Sequence, residues 1–186
     1  RTWQDEGNNS LLIVRPTVIF GEGNRGNVYN LLNQIASGKF LMVGRGENKK
    51  SMAYIGNIVA FVETCVATEQ KYGVYNYVDT PDLSMNELVS QVRVKLRNKT
   101  GVGPRLPYWL GLILGYAADV LAKISGKNLP VSSIRVRKFA SSTEFRSAKG
   151  SLDNFQAPVL LSDGLQRTLE SEFISSDPNR EIFFTE

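Results

Sequence analysis

The sequence has 186 residues, 42% hydrophobic and 22% charged, which fits one ordinary globular domain and excludes both a large multidomain machine and a disordered chain. A single cysteine, Cys65, rules out an internal disulfide and a cysteine-built zinc site, and the lack of histidine rules out His-ligated metals and every Ser-His-Asp or Cys-His relay. A formal net charge of +4 points toward anionic partners but falls short of a nucleic-acid binder, and phosphate-bearing small molecules fit it equally well.

Arg1 to Ser10 is polar, without an apolar core of signal-peptide length, so a cytoplasmic protein is expected. The chain lacks an initiating methionine and reaches an apolar strand almost at once, which suggests a piece of something longer. That strand, Leu11 to Phe20, is rich in β-branched residues, should be buried, and should break at Pro16. Val28, Leu31, Leu32 and Ile35 then recur at helical spacing up to Gly38, and Phe40 to Val43 forms a second strand. Ile58, Phe61, Val62, Cys65 and Val66 predict an amphipathic helix N-capped by Asn57, with Cys65 on its apolar face as a structural residue. Val74 to Val78 alternates into a third strand, and Ser84 with Glu87 forms a capping box for a helix with Met85, Leu88, Val92 and Leu96 on one face.

From Thr100 the pattern changes. Gly101, Gly103, Pro104 and Pro107 mark a loop before the most apolar stretch, Leu106 to Ile124. Asp119, Lys123 and two glycines interrupt that stretch, so no membrane span is expected. Leu161, Leu165, Leu169 and Phe173 define a last helix capped by Ser162. Alternation of strand and helix over residues 1–99, followed by a mainly helical 100–175 and a tail at 176–186, predicts an α/β fold of parallel strands with a mostly helical lobe in a single region, 1–186.

Gly21-Glu22-Gly23-Asn24-Arg25-Gly26 spells GxGxxG between a strand and a helix. Two readings stay open. One is a dinucleotide loop whose backbone N–H groups cradle a pyrophosphate. The other is a plain strand-to-helix glycine loop, favoured by Pro16 upstream, by Glu22 where a phosphate would approach, and by the lack of an acidic residue closing the next strand. Basic residues gather at Lys39, Arg45, Lys49 and Lys50, and again at Arg135, Arg137, Lys138, Arg146 and Lys149. Each group reads either as a solvated face or as a set of forks for a diphosphate. The aromatics, including Tyr54, Tyr75, Tyr77, Tyr108, Trp109 and Tyr116, are spaced mostly as core residues and do not interleave with the cations, so no nucleic acid is expected.

Arg15-Pro16-Thr17-Val18-Ile19-Phe20-Gly21-Glu22-Gly23 resembles the Arg-Pro segment that follows the catalytic helix in the extended short-chain dehydrogenases/reductases, the NAD-dependent sugar-nucleotide epimerase/dehydratase family. Further landmarks fall in that family's order: Phe40 to Gly44, Lys50, Tyr54-Ile55-Gly56-Asn57, the Tyr72 to Asp79 strand with the capped helix at Ser84, and the close from Ser147 to Phe173. Among its members, bacterial surface-polysaccharide epimerases are the most similar. The resemblance implies the C-terminal part of a Rossmann-like enzyme, because no tyrosine here has a lysine four residues on and the catalytic pair should lie upstream; no catalytic residue is expected in this chain.

The resemblance also distributes roles. Pro16, Thr17 and Val18 would edge the nicotinamide of NAD or NADP. Arg15 and Asn27 would face the substrate, with Asn27 at its diphosphate; Leu41, Met42 and Val43 would border the base; Lys50, Arg135 and Arg137 would hold phosphate, Lys50 and Arg137 converging on one diphosphate. The substrate would be a nucleoside-diphosphate sugar and the intact enzyme a homodimer, with the cofactor not held tightly by this part alone. Two other functions stay open: a reductase of another small molecule on the same scaffold, and a noncatalytic nucleotide-binding or protein-interaction module that docks a partner through Trp109 to Leu121.

Overall fold

The computed structural model of the protein describes residues 3, 6–7, 9–126, 132–146, 152, 154–175 and 181–184. In chain order its elements are β1 (Leu11–Pro16), β2 (Val18–Phe20), α1 (Asn27–Ala36), β3 (Met42–Val43), β4 (Lys49–Lys50), β5 (Met52–Tyr54), α2 (Ile55–Ala67), β6 (Tyr72–Tyr77), β7 (Leu83–Ser84), α3 (Met85–Arg97), β8 (Arg105–Leu106), α4 (Tyr108–Ser125), α5 (Ser133–Ala140), α6 (Leu161–Leu169) and a π-helical turn (Glu170–Ile174). They divide into two units. Arg1–Leu32, Ser51–Asp82 and Glu144–Glu186 form the first; Asn33–Lys50 and Leu83–Thr143 form the second.

In the first unit the apolar run from Leu11 breaks at Thr17, one residue past Pro16, and its two halves take different partners. β1 pairs in parallel with β6 from Leu11 opposite Tyr72 to Pro16 opposite Tyr77, while β2 pairs in parallel with β5 from Val18 opposite Met52 to Phe20 opposite Tyr54. Proline has no N–H for a ladder, so it fits only where pairing ends. Side chains of β6 alternate, with Tyr75 and Tyr77 buried and Val74 and Asn76 exposed, as a period of two requires. The buried rings meet Phe61 of α2, with centroids 5.7 Å (Tyr75) and 5.0 Å (Tyr77) away, and Phe155 closes the cluster at 5.1 Å.

Beyond β6, the buried Asp79 ties three strand ends together. Its Oδ2 accepts from the Tyr54 N–H at 2.8 Å, its Oδ1 accepts from the Tyr77 hydroxyl at 2.9 Å, and its own N–H donates to the Met52 carbonyl at 3.0 Å. Burial, and next the adjacent carboxylate, push the Tyr77 hydroxyl well above the usual tyrosine range.

The second unit pairs β3 with β8 in parallel and β4 with β7 antiparallel. α3 carries the expected capping box, with Ser84 Oγ accepting from Glu87 N at 3.2 Å and the Glu87 carboxylate accepting from Ser84 N at 2.8 Å. Those hydrogen bonds hold the exposed Glu87 carboxyl below its ordinary range. Met85, Leu88, Val89 and Val92 form its buried face, and Asn98 in the left-handed region ends it.

Four expectations change. Asn57 is not an N-cap: α2 starts two residues earlier, and Asn57 is fully buried with its side-chain amide bonded both ways to the Val159 backbone, at 2.8 and 3.0 Å. Ser162 lies inside α6, because Leu160 is the N-cap and no side chain caps it. The strand expected from Phe40 is confined to Met42–Val43, where β8 offers a ladder. β4, β7 and β8, two residues each, are too short for a periodicity to mark them. Ser147 to Ser151, Lys149 among them, and Asp153, all part of the expected close, lie outside the described residues.

Removing the Asp79 carboxylate strands two buried donors, at about 1 to 3 kcal/mol each. Asp79→Ala is therefore expected to destabilise the first unit by about 3 kcal/mol and Asp79→Asn, which keeps one acceptor, by less; urea denaturation followed by tyrosine fluorescence measures both, and an unmoved midpoint for the alanine variant refutes the tie.

Candidate functional site

In the second unit, α4 and α5 build a concave surface together with the loop after β3. The two helices come close because α4 has glycine where they meet: a Cβ on Gly115 would fall 2.8 Å from Ser133 Cα, and one on Gly111 would fall 2.8 Å from Val43 Cγ1. The start of α5 is fixed twice. Ser132 Oγ accepts from Arg135 N at 3.2 Å as its N-cap, and Asp119 Oδ2 of α4 accepts from Ser133 N at 3.2 Å.

Among the cavities that result, two are lined by both helices. The first, about 340 Å³, is lined by Val43 to Asn48, by Tyr108 at the start of α4 and by Arg137, Ala140 and Ser141 at the end of α5. Arg137 donates to the Tyr116 hydroxyl and lies over the Tyr116 ring, 5.6 Å from its centroid, so α4 orients the guanidinium. Arg45 is a second arginine of the lining, and its carbonyl accepts from Arg105 Nη1 at 2.7 Å and Asn86 Nδ2 at 3.0 Å, which pins the loop. Two arginines and an aromatic residue around one cavity suit a phosphate ester, with Glu47 the acidic residue of the lining. The second cavity, about 330 Å³, lies among Leu41, Val43, Leu114, Arg135 and Phe139.

Val43 and Arg137 thus line the first cavity, and Leu41, Val43 and Arg135 the second. Met42 is fully buried and its N–H donates to the Pro104 carbonyl at 3.1 Å. Lys50 reaches the end of α5, its Nζ donating to the carbonyls of Lys138 at 2.9 Å and Ser141 at 2.6 Å. That is where a helix concentrates its unpaired carbonyls, so the ammonium complements the dipole. Partial burial lowers the Lys50 pKa from its ordinary value.

The remaining expected residues belong to the first unit. Arg15, Pro16 and Val18 are exposed at the break between β1 and β2, and Asn27 is the exposed first residue of α1. Between them the Thr17 Oγ1 is buried and has no hydrogen-bond partner among the described residues. A buried hydroxyl without a partner is costly, and beside an exposed Val18 it suits a polar group of a bound ligand.

The GxGxxG loop is a packing loop. Gly23 N donates to the buried Glu172 at 2.8 Å and Arg25 N donates to the Phe183 carbonyl at 2.8 Å, while the Tyr54 hydroxyl donates to Glu22 at 2.9 Å. Burial, then the hydrogen bond and charge of Glu22, raise the Tyr54 hydroxyl above its ordinary value, and Arg167 works against that rise. With its amides turned to protein acceptors, this loop has none at Gly23 or Arg25 to offer a pyrophosphate. Among the described residues, no group of Cys, Asp or Glu could hold a metal ion, and no helix is long and apolar enough to cross a membrane.

Sequence reasoning missed Tyr108 and Tyr116, because core spacing explained them and nothing local joins residue 116 to residue 137. Trp109, which core spacing and the docking helix from Trp109 to Leu121 pulled in opposite directions, is 62% exposed.

Parallel pairing of β1 with β6 and β2 with β5, with the helical lobe beyond Thr100, matches the C-terminal portion of the extended short-chain dehydrogenases/reductases that the sequence resembles. Over its whole length it is 52% identical to the N-acetyl-alpha-D-glucosaminyl-diphospho-ditrans,octacis-undecaprenol 4-epimerase of Escherichia coli O157:H7, of which it covers 57%. Among solved structures, the UDP-N-acetylglucosamine 4-epimerase from Bacillus cereus matches 90% of the chain with a TM-score of 0.60 at 12% identity, over 48% of its own length. The UDP-glucuronic acid 4-epimerase from Bacillus cereus, solved with UDP-glucuronic acid and NAD, matches 91% with a TM-score of 0.58 at 15% identity, over 47% of its own length. These two likenesses speak for the fold. No family model matches the chain, which spans about half the length of the proteins it resembles.

Gly115→Ala tests the helix contact. Alanine ordinarily favours a helix by about 1 kcal/mol over glycine. Here its methyl meets backbone, which cannot rotate away, and overpacking costs about 1 to 3 kcal/mol. The variant is expected to lower the thermal midpoint, and a raised midpoint would overturn the contact.

Proposed function

We propose that this chain is the substrate-binding portion of an NAD-dependent 4-epimerase in surface-polysaccharide synthesis, acting on an N-acetylhexosamine held on a diphosphate whose far end is a polyprenol. The observation that carries this reading is the 52% identity, across the entire chain, to an enzyme whose name states that reaction. A cavity with two arginines fits the diphosphate that such a substrate shares with the nucleoside-diphosphate sugars expected from the sequence. UDP-sugars remain the second reading, favoured by 27% identity to the UDP-glucose 4-epimerase of Vibrio cholerae over 62% of the chain.

In this reading Arg137, steadied by Tyr116, donates its fork to phosphate oxygens, Arg45 faces the same group, and Tyr108 covers the sugar or the first carbons beyond the phosphate. Lys50 holds the end of α5 in place and adds positive charge. Pro16, Thr17 and Val18 edge the nicotinamide, with the Thr17 hydroxyl donating to a polar group there. NAD, when bound, supplies a reversible hydride acceptor for the sugar carbon. The proton-transferring tyrosine and lysine belong outside these 186 residues, since no Tyr-x-x-x-Lys occurs in them. The intact enzyme works in the cytoplasm, as a homodimer.

The test supplies full-length enzyme with N-acetylglucosaminyl-diphospho-polyprenol and, separately, UDP-N-acetylglucosamine. Inversion at C4 of the first, with little turnover of the second, is expected. Turnover confined to the nucleotide sugar overturns the polyprenol, and a product lighter by one water overturns epimerisation. The 186-residue chain alone is expected to give no turnover and no micromolar NAD site by calorimetry.

Arg137→Ala is expected to weaken substrate ten- to a hundredfold, about 1.5 to 3 kcal/mol, with an unchanged thermal midpoint. Arg137→Lys restores little, because one ammonium cannot replace a fork. Lys50→Ala weakens binding too but also lowers the midpoint, because it leaves the Lys138 and Ser141 carbonyls uncapped. Unchanged affinity in both alanine variants removes both residues from the site.

A further inference from the structure

We propose that the outward face of α4 docks on an anionic lipid bilayer, lying in the plane of its surface, and so brings the cavity to a substrate that resides there; this rests on the polyprenyl-diphosphate reading. Three observations carry it. First, α4 turns its glycines inward and its large apolar side chains to solvent: Trp109, Ile113, Leu114, Val120, Leu121 and Ile124 are 50 to 78% exposed. In a helix of 18 residues, about 27 Å long, that is a continuous apolar face with an aromatic ring near one end, where tryptophan suits a membrane–water boundary.

Second, its surroundings are basic. Lys123 near the end of α4 and Arg135 of α5, which shares a cavity wall with Leu114, are exposed, whereas the acidic residue of the two helices, Asp119, is half-buried and accepts from Ser133 N. A cationic fringe around an apolar face complements a lipid surface bearing negative charge. A second copy of the same face would instead set like charges against each other. Third, the face is continuous with the cavities: Tyr108 lines the first, Leu114 and Arg135 line the second, and Tyr116 holds Arg137. A diphosphate on those arginines leaves an attached apolar chain beside the apolar face.

Vesicles test this without any sugar, so the outcome is independent of turnover. In a Trp3→Phe background Trp109 is the remaining tryptophan of these 186 residues. Full-length protein is mixed with phosphatidylcholine vesicles, with or without phosphatidylglycerol, and followed by cosedimentation and by emission excited selectively at Trp109, other tryptophans having been replaced by phenylalanine. We expect binding to the anionic vesicles, a blue shift of Trp109, at least tenfold weaker binding for Ile113→Glu/Leu121→Glu, and about fivefold weaker binding for Lys123→Glu at low salt. These side chains are exposed, so an unchanged thermal midpoint accompanies the loss; the wild-type blue shift reads the same contact with no variant at all.

No binding, equal binding to neutral vesicles, or binding without a Trp109 shift overturns the proposal. So does a dimer that Ile113→Glu/Leu121→Glu disperses, which assigns the face to a second copy. Turnover of polyprenyl substrate in detergent without vesicle binding sinks the docking face and spares the function; vesicle binding without turnover does the reverse.

Discussion

Between α4 and α5 there is room for a hydrogen atom at Gly115 but not for a methyl group, and the working parts of the second unit hang on that distance. At this separation Asp119 reaches the first turn of α5, Tyr116 reaches Arg137, and the end of α5 comes within reach of Lys50. Had α4 a larger residue there, α5 would sit farther out and the guanidinium would lose the phenol that orients it. The same contact decides which way α4 faces. With small residues packed inward, most of its bulky side chains stand on the exposed side.

How far each feature can be read from sequence follows the distance over which its cause acts. The capping box of α3 spans four residues and is complete in the string from Ser84 to Glu87. The break after Pro16 is equally local, since the missing N–H belongs to that residue. Asn57 shows the opposite case: as a polar residue at the head of an apolar helix it looks like a cap, but its partner is Val159, 102 positions away. The site divides in the same manner. Arg137 and Lys50 stand out as cations near landmark positions, whereas Tyr116 and Tyr108 acquire meaning only when α4 and α5 are set side by side.

The two glycine-rich places in the chain have different uses. Gly21 to Gly26 has the spelling of a phosphate loop, yet the donors at Gly23 and Arg25 are consumed by Glu172 and Phe183, and a Cβ on Gly21 would run into Ile55. The loop around Gly44 and Gly46 has no such spelling and lines the cavity with Arg45 and Arg137. A motif defined by glycine alone records where backbone comes close to something. At Gly23, Arg25 and Gly44 alike the N–H donates to the protein itself, and what sets the second loop apart is the arginines that share its cavity.

Glu172 also bears on how the protein is made. Its carboxylate accepts from Gly23, 149 residues earlier, and pairs with Arg25 at 3.5 Å. A ribosome must therefore nearly finish these residues before the loop after β2 can close, whereas every segment of the second unit has emerged by Thr143. Order of synthesis thus favours the second unit settling first, while the first, whose strands can pair once Tyr77 has emerged, waits for α6 to pack against Tyr54. The nascent protein is accordingly most open to chaperones and proteases in the interval between those two events.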